Sequence, residues 1–215
     1  MTSATETGLD RGAAVTRSLL GWGVVAGPFY LVFGLILALT RPGFEFGRDA
    51  LSILLIGENG WLQGLNLVLS GVMTLVAAVG LARTPDWPRT SAVLVGVYGL
   101  GMVLTAFAPP DRPGSGVATT AGILHLAFGG LGFLALGIAA IIAASWFRRR
   151  NAGKSALSLI AGILVIVAFV AGGALSNGPA GVTLLWLAVI VGWLWLALTC
   201  VAAHRAVPHP LYARR

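Results

Sequence analysis

One histidine, His125, lies within a long apolar segment, and a short polar turn carrying Asp111 precedes that segment. An imidazole near a carboxylate can act as a general base, as a proton relay or as part of a ligand-binding site. Ionisable side chains inside a membrane are costly to bury, and those that persist there often mark function. The structural alternative is a neutral histidine hydrogen-bonded to a neighbouring helix, which contributes about 1 kcal/mol. Both interpretations of His125 remain open from the sequence.

Further polar residues could meet this histidine. A polar connection over residues 41–60 holds Asp49 and Ser52, and a polar stripe opens the apolar segment that follows. The stripe is spaced three and four residues apart, which places its members on one helix face; they are Gln63, Asn66, Ser70 and Thr74. Such a stripe is typical of hydrogen bonding between helices, with a substrate path as the alternative. The candidate ligand-binding residues are therefore His125, Asp111, Asp49, Ser52, Gln63 and Asn66.

Known catalytic motifs are absent from the sequence. There is no HExxH, no nucleotide-binding loop, no GxSxG elbow and no dinucleotide fingerprint. We predict no metal site, since no ligand spacing indicates one, although His125 could share a metal with a carboxylate of Asp49, Glu58 or Asp111. Cys200 is the single cysteine, which excludes an intramolecular disulfide and a cysteine cluster. The catalytic residues and any cofactor stay undefined.

The composition indicates a membrane protein. Hydrophobic residues make up 57% of the chain and charged residues 10%, whereas a soluble domain carries about 25% charged residues. Six apolar segments are long enough to be membrane spans; they cover residues 19–39, 61–81, 91–108, 119–147, 155–175 and 182–203. We predict an all-α bundle of six transmembrane helices over residues 19–203, flanked by a polar tail (residues 1–18) and a basic tail (residues 204–215).

The positive charges are distributed unevenly between the two sides of such a bundle. Eleven of the 14 Lys and Arg residues fall in the two tails and the even-numbered connections. Only Arg41, Arg48 and Arg112 fall in the other connections. By the positive-inside rule both termini are cytoplasmic, in a multi-pass protein of the cell (inner, cytoplasmic) membrane. Topology thus accounts for the pI near 11.1, and we expect no nucleic-acid partner.

Two blocks of the sequence resemble a known family. They are DALSILLIGENGWLQGLNLVLSG (residues 49–71) and GLGMVLTAFAPPDRPGSG followed by GILHLAFG (within residues 99–129). They are similar to the bacterial and archaeal six-helix membrane proteins of domain-of-unknown-function family nine-nine-eight, over most of the chain. The matching positions are Asp49, Ser52, Trp61, Asn66, Asp111, Gly122 and His125. Arg112 departs from the pattern, since the family often has proline there. The resemblance implies the fold and topology and no particular activity.

Three functions remain as hypotheses. The polar groups gather at the outer end of an apolar bundle, which is the expected form of a small-molecule site. We therefore favour binding or transport of a lipid or small amphipathic molecule at an outer polar pocket, with membrane lipids as partners. The alternatives are a membrane-embedded hydrolase or transferase, with His125 as base beside an outer-loop carboxylate, and a structural or assembly partner without a ligand.

Overall fold

The computed structural model describes residues 9–112, 114–116 and 118–211, and this part of the chain is all-α. A short 3₁₀ helix, Leu51–Leu55, lies between the first two of its long helices. The long helices are α1 Arg11–Thr40, α2 Gly60–Ala82, α3 Arg89–Thr105, α4 Thr120–Arg148, α5 Ala152–Ala174 and α6 Pro179–Ala206. The predicted all-α class is confirmed, and each predicted apolar segment corresponds to one helix.

The six helices form a closed bundle. Each helix packs against the next one in the chain, and α6 returns to pack against α1. The short connections make successive helices antiparallel. We call the end with connections 41–59, 106–119 and 175–178 the loop end. The opposite end, where Asp10 N donates a hydrogen bond to the carbonyl of Pro210, is called the terminal end.

Small residues fill the interior of the bundle, and large apolar side chains cover its outside. Ala77, Ala139 and Ala188 are fully buried, whereas Leu126 is 68% and Ile160 58% exposed. Soluble proteins rarely expose such extensive apolar surface. Among the described helices, α1, α2, α4, α5 and α6 are long and apolar enough to cross a membrane, and α3 is a shorter apolar helix. The chain is a multi-pass membrane protein.

The N-terminal helix begins earlier than the sequence predicted. α1 starts at Arg11 and not at residue 19, because the Asp10 side chain caps its first turn. Arg17, which we had placed in a polar tail, donates a hydrogen bond to the carbonyl of His204 at 3.1 Å. This arginine therefore ties α1 to the end of α6. The rest of the predicted tail, residues 1–8, lies outside the described residues.

The C-terminal helix is also longer than predicted. α6 continues to Ala206 instead of ending at residue 203, and Arg17 also donates to the carbonyl of Val207 at 2.9 Å. This bond satisfies one of the carbonyls that every helix leaves free at its C-terminus. The last four residues of the predicted basic tail (residues 204–215), 212–215, lie outside the described part of the chain.

Two glycines bring α4 and α5 into close contact in the terminal half of the bundle. A Cβ on Gly162 would lie 2.5 Å from the carbonyl oxygen of Gly137. One turn away, the Ser158 hydroxyl donates to the carbonyl of Ala140 at 2.7 Å. Close approach of backbones is a main source of helix association in membranes, where apolar burial gives little advantage over lipid. These residues therefore fix the α4–α5 interface.

We expect Gly162→Ala to lower the free energy of unfolding in detergent by about 1–3 kcal/mol, because its methyl group would overlap a backbone atom. Gly173→Ala is the matched control on the same helix, since a Cβ there meets nothing within 4 Å. Thermal unfolding followed by circular dichroism compares the two variants. Equal melting temperatures would contradict the close contact.

Candidate functional site

A cavity of about 250 Å³ lies at the loop end of the bundle. All six helices and the 3₁₀ helix contribute to its wall, which is mostly apolar. Four of the six candidate residues line it, namely Ser52, Gln63, Asp111 and His125. The structure thus brings together groups that are far apart in the sequence.

Four aromatic rings, one each from α1, α3, α4 and α5, line the cavity, and a fifth ring on α6, Trp193, contacts two of them. We call these five rings the aromatic floor. Tyr30 and Tyr98 each contact Trp193, with ring centroids 5.3 and 5.6 Å apart. Tyr98 also contacts Phe133 at 5.6 Å, and Phe133 stacks on Phe169 at 4.6 Å. Sequence reasoning missed this floor, because residues from five helices show no common spacing along the chain.

The polar stripe of α2 is fully buried, and most of its groups are paired. The Asn66 side-chain amide donates to the carbonyl of Tyr30 at 3.1 Å, which joins α2 to α1. Ser70 donates to the Asn66 side-chain oxygen at 3.4 Å, and Thr74 to the carbonyl of Ser70 at 2.8 Å. Asn66 does not line the cavity and lies behind Gln63. Its contacts are those of interhelical hydrogen bonding and not of a substrate path.

Gln63 differs from the other members of the stripe. Its side chain is 0% exposed and lines the cavity. Its Oε1 accepts a hydrogen bond from Asn66 at 3.2 Å. Its Nε2 forms no hydrogen bond of good geometry among the described residues, although the Gln63 side chain lies close enough to the Tyr30 side chain to interact with it. A buried amide donor without a partner costs about 1–3 kcal/mol, so this group is available to a ligand in the cavity.

His125 is half-buried at the cavity wall, and a backbone carbonyl holds its ring. Nδ1 lies 2.7 Å from the carbonyl oxygen of Ala108, at the end of α3. A carbonyl can only accept, so Nδ1 must carry the hydrogen of this bond. In the neutral imidazole, Nε2 is then a hydrogen-bond acceptor. The histidine thus tethers α4 to the end of α3 and keeps one nitrogen for other use.

Asp111 is anchored over the start of α4. Its carboxylate accepts hydrogen bonds from the Thr119 hydroxyl at 2.7 Å and the Thr119 backbone N–H at 3.0 Å. These bonds lower the pKa of Asp111 below its ordinary value of 3.8. Thr119 in turn caps α4 by accepting from Gly122 N at 3.0 Å. A Cβ at Gly122 would overlap the carboxylate, which explains why glycine stands there.

The two remaining candidates in the first connection have different positions. Ser52 lies on the 3₁₀ helix and lines the cavity beside Arg48. Asp49 does not line the cavity, and its side chain accepts from the backbone N–H of Glu45 at 2.8 Å. Its backbone carbonyl accepts from the Trp186 indole at 3.3 Å. Asp49 therefore shapes the loop, and it is not placed to contact a ligand directly.

The described side chains do not form the arrangement that catalysis by His125 would need. The recorded partner of the imidazole is a carbonyl, whereas the Asp111 carboxylate is bound to Thr119. A general base is usually oriented by a third group of the kind seen in catalytic triads. Within the described ranges, no three His, Cys, Asp or Glu side chains are grouped as metal ligands.

One known protein family matches the chain over most of its length. The family described as a protein of unknown function (DUF998) matches residues 24–202. The chain belongs to the DUF998 family. No curated protein and no solved structure matches the sequence. In this DUF998 protein, three of the positions that carried the resemblance lie close together. Asp111 and Gly122 both contact Thr119 at the start of α4, and His125 follows one turn after Gly122.

The hydrogen bonds between the Asp111 carboxylate and Thr119 make the free energy of unfolding depend on pH. The folded-state pKa is lowered, so the carboxylate stabilises the fold above its unfolded pKa of about 3.9, and this contribution is lost as the pH falls through the folded-state value. We expect Asp111→Asn to melt below the wild type at neutral pH, with the difference shrinking under acid conditions.

Melting curves of the detergent-solubilised protein across the acidic range measure this difference. Glu45→Gln is the control, because the Glu45 side chain is exposed and pairs with Arg48 at the surface, where such a pair contributes little. A difference between wild type and Asp111→Asn that stayed constant with pH would refute the electrostatic explanation.

Proposed function

We propose that the protein binds a lipid or another small amphipathic molecule in the cavity at the loop end. The apolar part would lie against the aromatic floor, and the polar head group would lie at the level of Gln63 and His125. The unpartnered Nε2 of Gln63 is the observation that carries this proposal, because a ligand acceptor would satisfy a donor that the protein leaves free.

The polar groups in the cavity wall suggest the chemistry of the head group. Gln63 offers a donor, and the Nε2 of neutral His125 offers an acceptor. A hydroxyl group both donates and accepts, so it can satisfy both. The charged side chains of the wall, Arg48 and Asp111, are already paired with Glu45 and Thr119. An uncharged hydroxyl head group therefore fits better than an ionic one, whose burial would be costly.

We further propose that all six helices cross the cell membrane and that both termini are cytoplasmic. Hydrogen-bonded turns extend α3 as far as Ala108, which lengthens the shortest helix toward the membrane thickness. The terminal end holds the Lys and Arg majority of the sequence, as expected for a cytoplasmic face. In this proposal the membrane-spanning part still covers residues 19–203, with α1 and α6 extending beyond it at the terminal end, and the cavity lies on the outer side.

Binding can be tested with probes that share one chain and differ in head group. Native mass spectrometry of the full-length protein in detergent would measure retention of dodecanol, dodecanoate and dodecyltrimethylammonium. We expect dodecanol to bind best. Gln63→Leu should weaken its binding about tenfold, the equivalent of one hydrogen bond.

Two variants accompany this test. His125→Gln should fold normally, because glutamine can still donate to Ala108. It should weaken the binding of dodecanol, because a glutamine amide that donates to Ala108 cannot place its oxygen where the imidazole Nε2 lies. Ser70→Ala is the matched control, since Ser70 belongs to the same buried stripe but does not line the cavity. Retention of dodecanol that is equal in wild type, Gln63→Leu and His125→Gln would overturn the proposed function.

The topology is tested separately with fused reporters. Reporters placed after Lys154 and Arg215 should be active in the cytoplasm, and a reporter within residues 41–60 should be active outside. A cytoplasmic signal from residues 41–60 would invert the orientation and place the cavity on the inner side.

A further inference from the structure

The contact between α4 and α5 changes along its length. In the terminal half, Gly137 and Gly162 bring the two backbones together, as described above. Two aromatic rings, Phe133 and Phe169, stack nearer the loop end, with centroids 4.6 Å apart and planes within 13°. Flat rings require more space between helices than two glycines do. The helices therefore separate toward the loop end.

Beyond the stacked rings, the interface is open. A Cβ on Gly129 of α4 would meet nothing within 4 Å, and the same holds for Gly173 of α5. Both glycines line the cavity, and so does Leu126, which is 68% exposed on the outside of the bundle. Residues that are exposed outside and also line the cavity mark its mouth. We call this opening, bounded by Leu126, Gly129, Gly173 and the Phe133–Phe169 stack, the α4–α5 cleft.

The surface around the cleft is apolar. Ile123 on α4 and Val170 on α5 are 57% and 55% exposed. Ile123 lies one turn before Leu126, and Val170 lies one turn before Gly173. Side chains of this kind at the level of membrane-spanning helices face lipid chains. The α4–α5 cleft thus opens toward the hydrocarbon of the bilayer. A separate opening at the loop end, where the exposed Arg48 lines the cavity, faces the aqueous side.

We infer that a bilayer lipid enters the cavity sideways through the α4–α5 cleft and leaves part of its chain in the cleft. This inference rests on the proposed function and adds the route and the source of the ligand. The cavity volume of about 250 Å³ lies below the usual range for small-molecule sites, about 300–1,000 Å³. It suits a head group with the start of one chain, so the remaining chain must extend through an opening. The partnerless Nε2 of Gln63 provides an independent sign that the cavity is built for a ligand.

The test uses the full chain in phosphatidylcholine vesicles that contain octadecanol brominated at mid-chain, a contact quencher of tryptophan fluorescence. Trp186 lines the cavity, and its signal is the difference between wild type and Trp186→Phe. We expect quenching of Trp186 in the wild type and loss of that quenching in the Gly129→Leu/Gly173→Leu variant, whose side chains fill the cleft. Gly21→Leu is the control, because this α1 glycine also faces open space and does not line the cavity.

The possible outcomes separate the two proposals. If the cleft variant is quenched like the wild type, or if wild-type Trp186 is not quenched, the lateral route is wrong. The proposed function would still stand if dodecanol bound to the protein in detergent and if Gln63→Leu weakened that binding. If dodecanol did not bind even there, the proposed function would fail. Single Gly173→Leu, at an exposed position near the end of α5, replaces the double variant if that one melts early.

Discussion

Polar atoms inside a membrane bundle must find partners within the protein, because the surrounding hydrocarbon offers none. Hydrogen bonds from buried side chains meet this requirement around the bundle. Asn66 joins α2 to α1, and Ser91 joins α3 to the carbonyl of Ala139 on α4 at 2.9 Å. Ser158 joins α5 to α4 and accepts from the indole of Trp195 on α6 at 2.9 Å. The arrangement of the helices depends on these bonds as much as on apolar packing.

The two ends of the bundle use different means to hold their connections. At the terminal end, Trp146 donates to the carbonyl of Pro85 at 3.0 Å, and the Arg150 guanidinium lies 4.0 Å from the centre of the Trp146 ring. At the loop end, Arg41 holds the 3₁₀ helix through the carbonyls of Ile53 and Ile56. The terminal end is closed by packing, whereas the loop end encloses a cavity. The half of the bundle opposite the cavity is thus held together by hydrogen bonds and ring contacts.

Gln63 gives the cavity its chemical character. Among the described residues, three buried side-chain nitrogens have no hydrogen-bond partner, on Gln63, Trp87 and Trp193, and of these residues only Gln63 lines the cavity. Asn66, one turn further along the same helix face, has partners on three sides, yet Gln63 leaves a donor unused. His125 shows a related division, with Nδ1 bound to the carbonyl of Ala108 and Nε2 forming no hydrogen bond within the part of the chain that the structure describes. Structural and ligand-binding interpretations of this histidine are therefore compatible, because its two nitrogens serve different purposes.

The sequence by itself determined the all-α class, the approximate helix boundaries and the membrane character, because these depend on the local periodicity and hydropathy of each segment. It also identified His125 and Gln63, since a polar residue in an apolar segment is visible without a structure. Only the tertiary structure decided which residues meet. It paired Asp111 with Thr119 instead of with His125, moved Arg17 from a predicted tail to the end of α6, and gathered the aromatic floor from five helices. Such contacts depend on the rotation and spacing of helices about one another, which distant side chains and glycines set jointly and no single segment encodes.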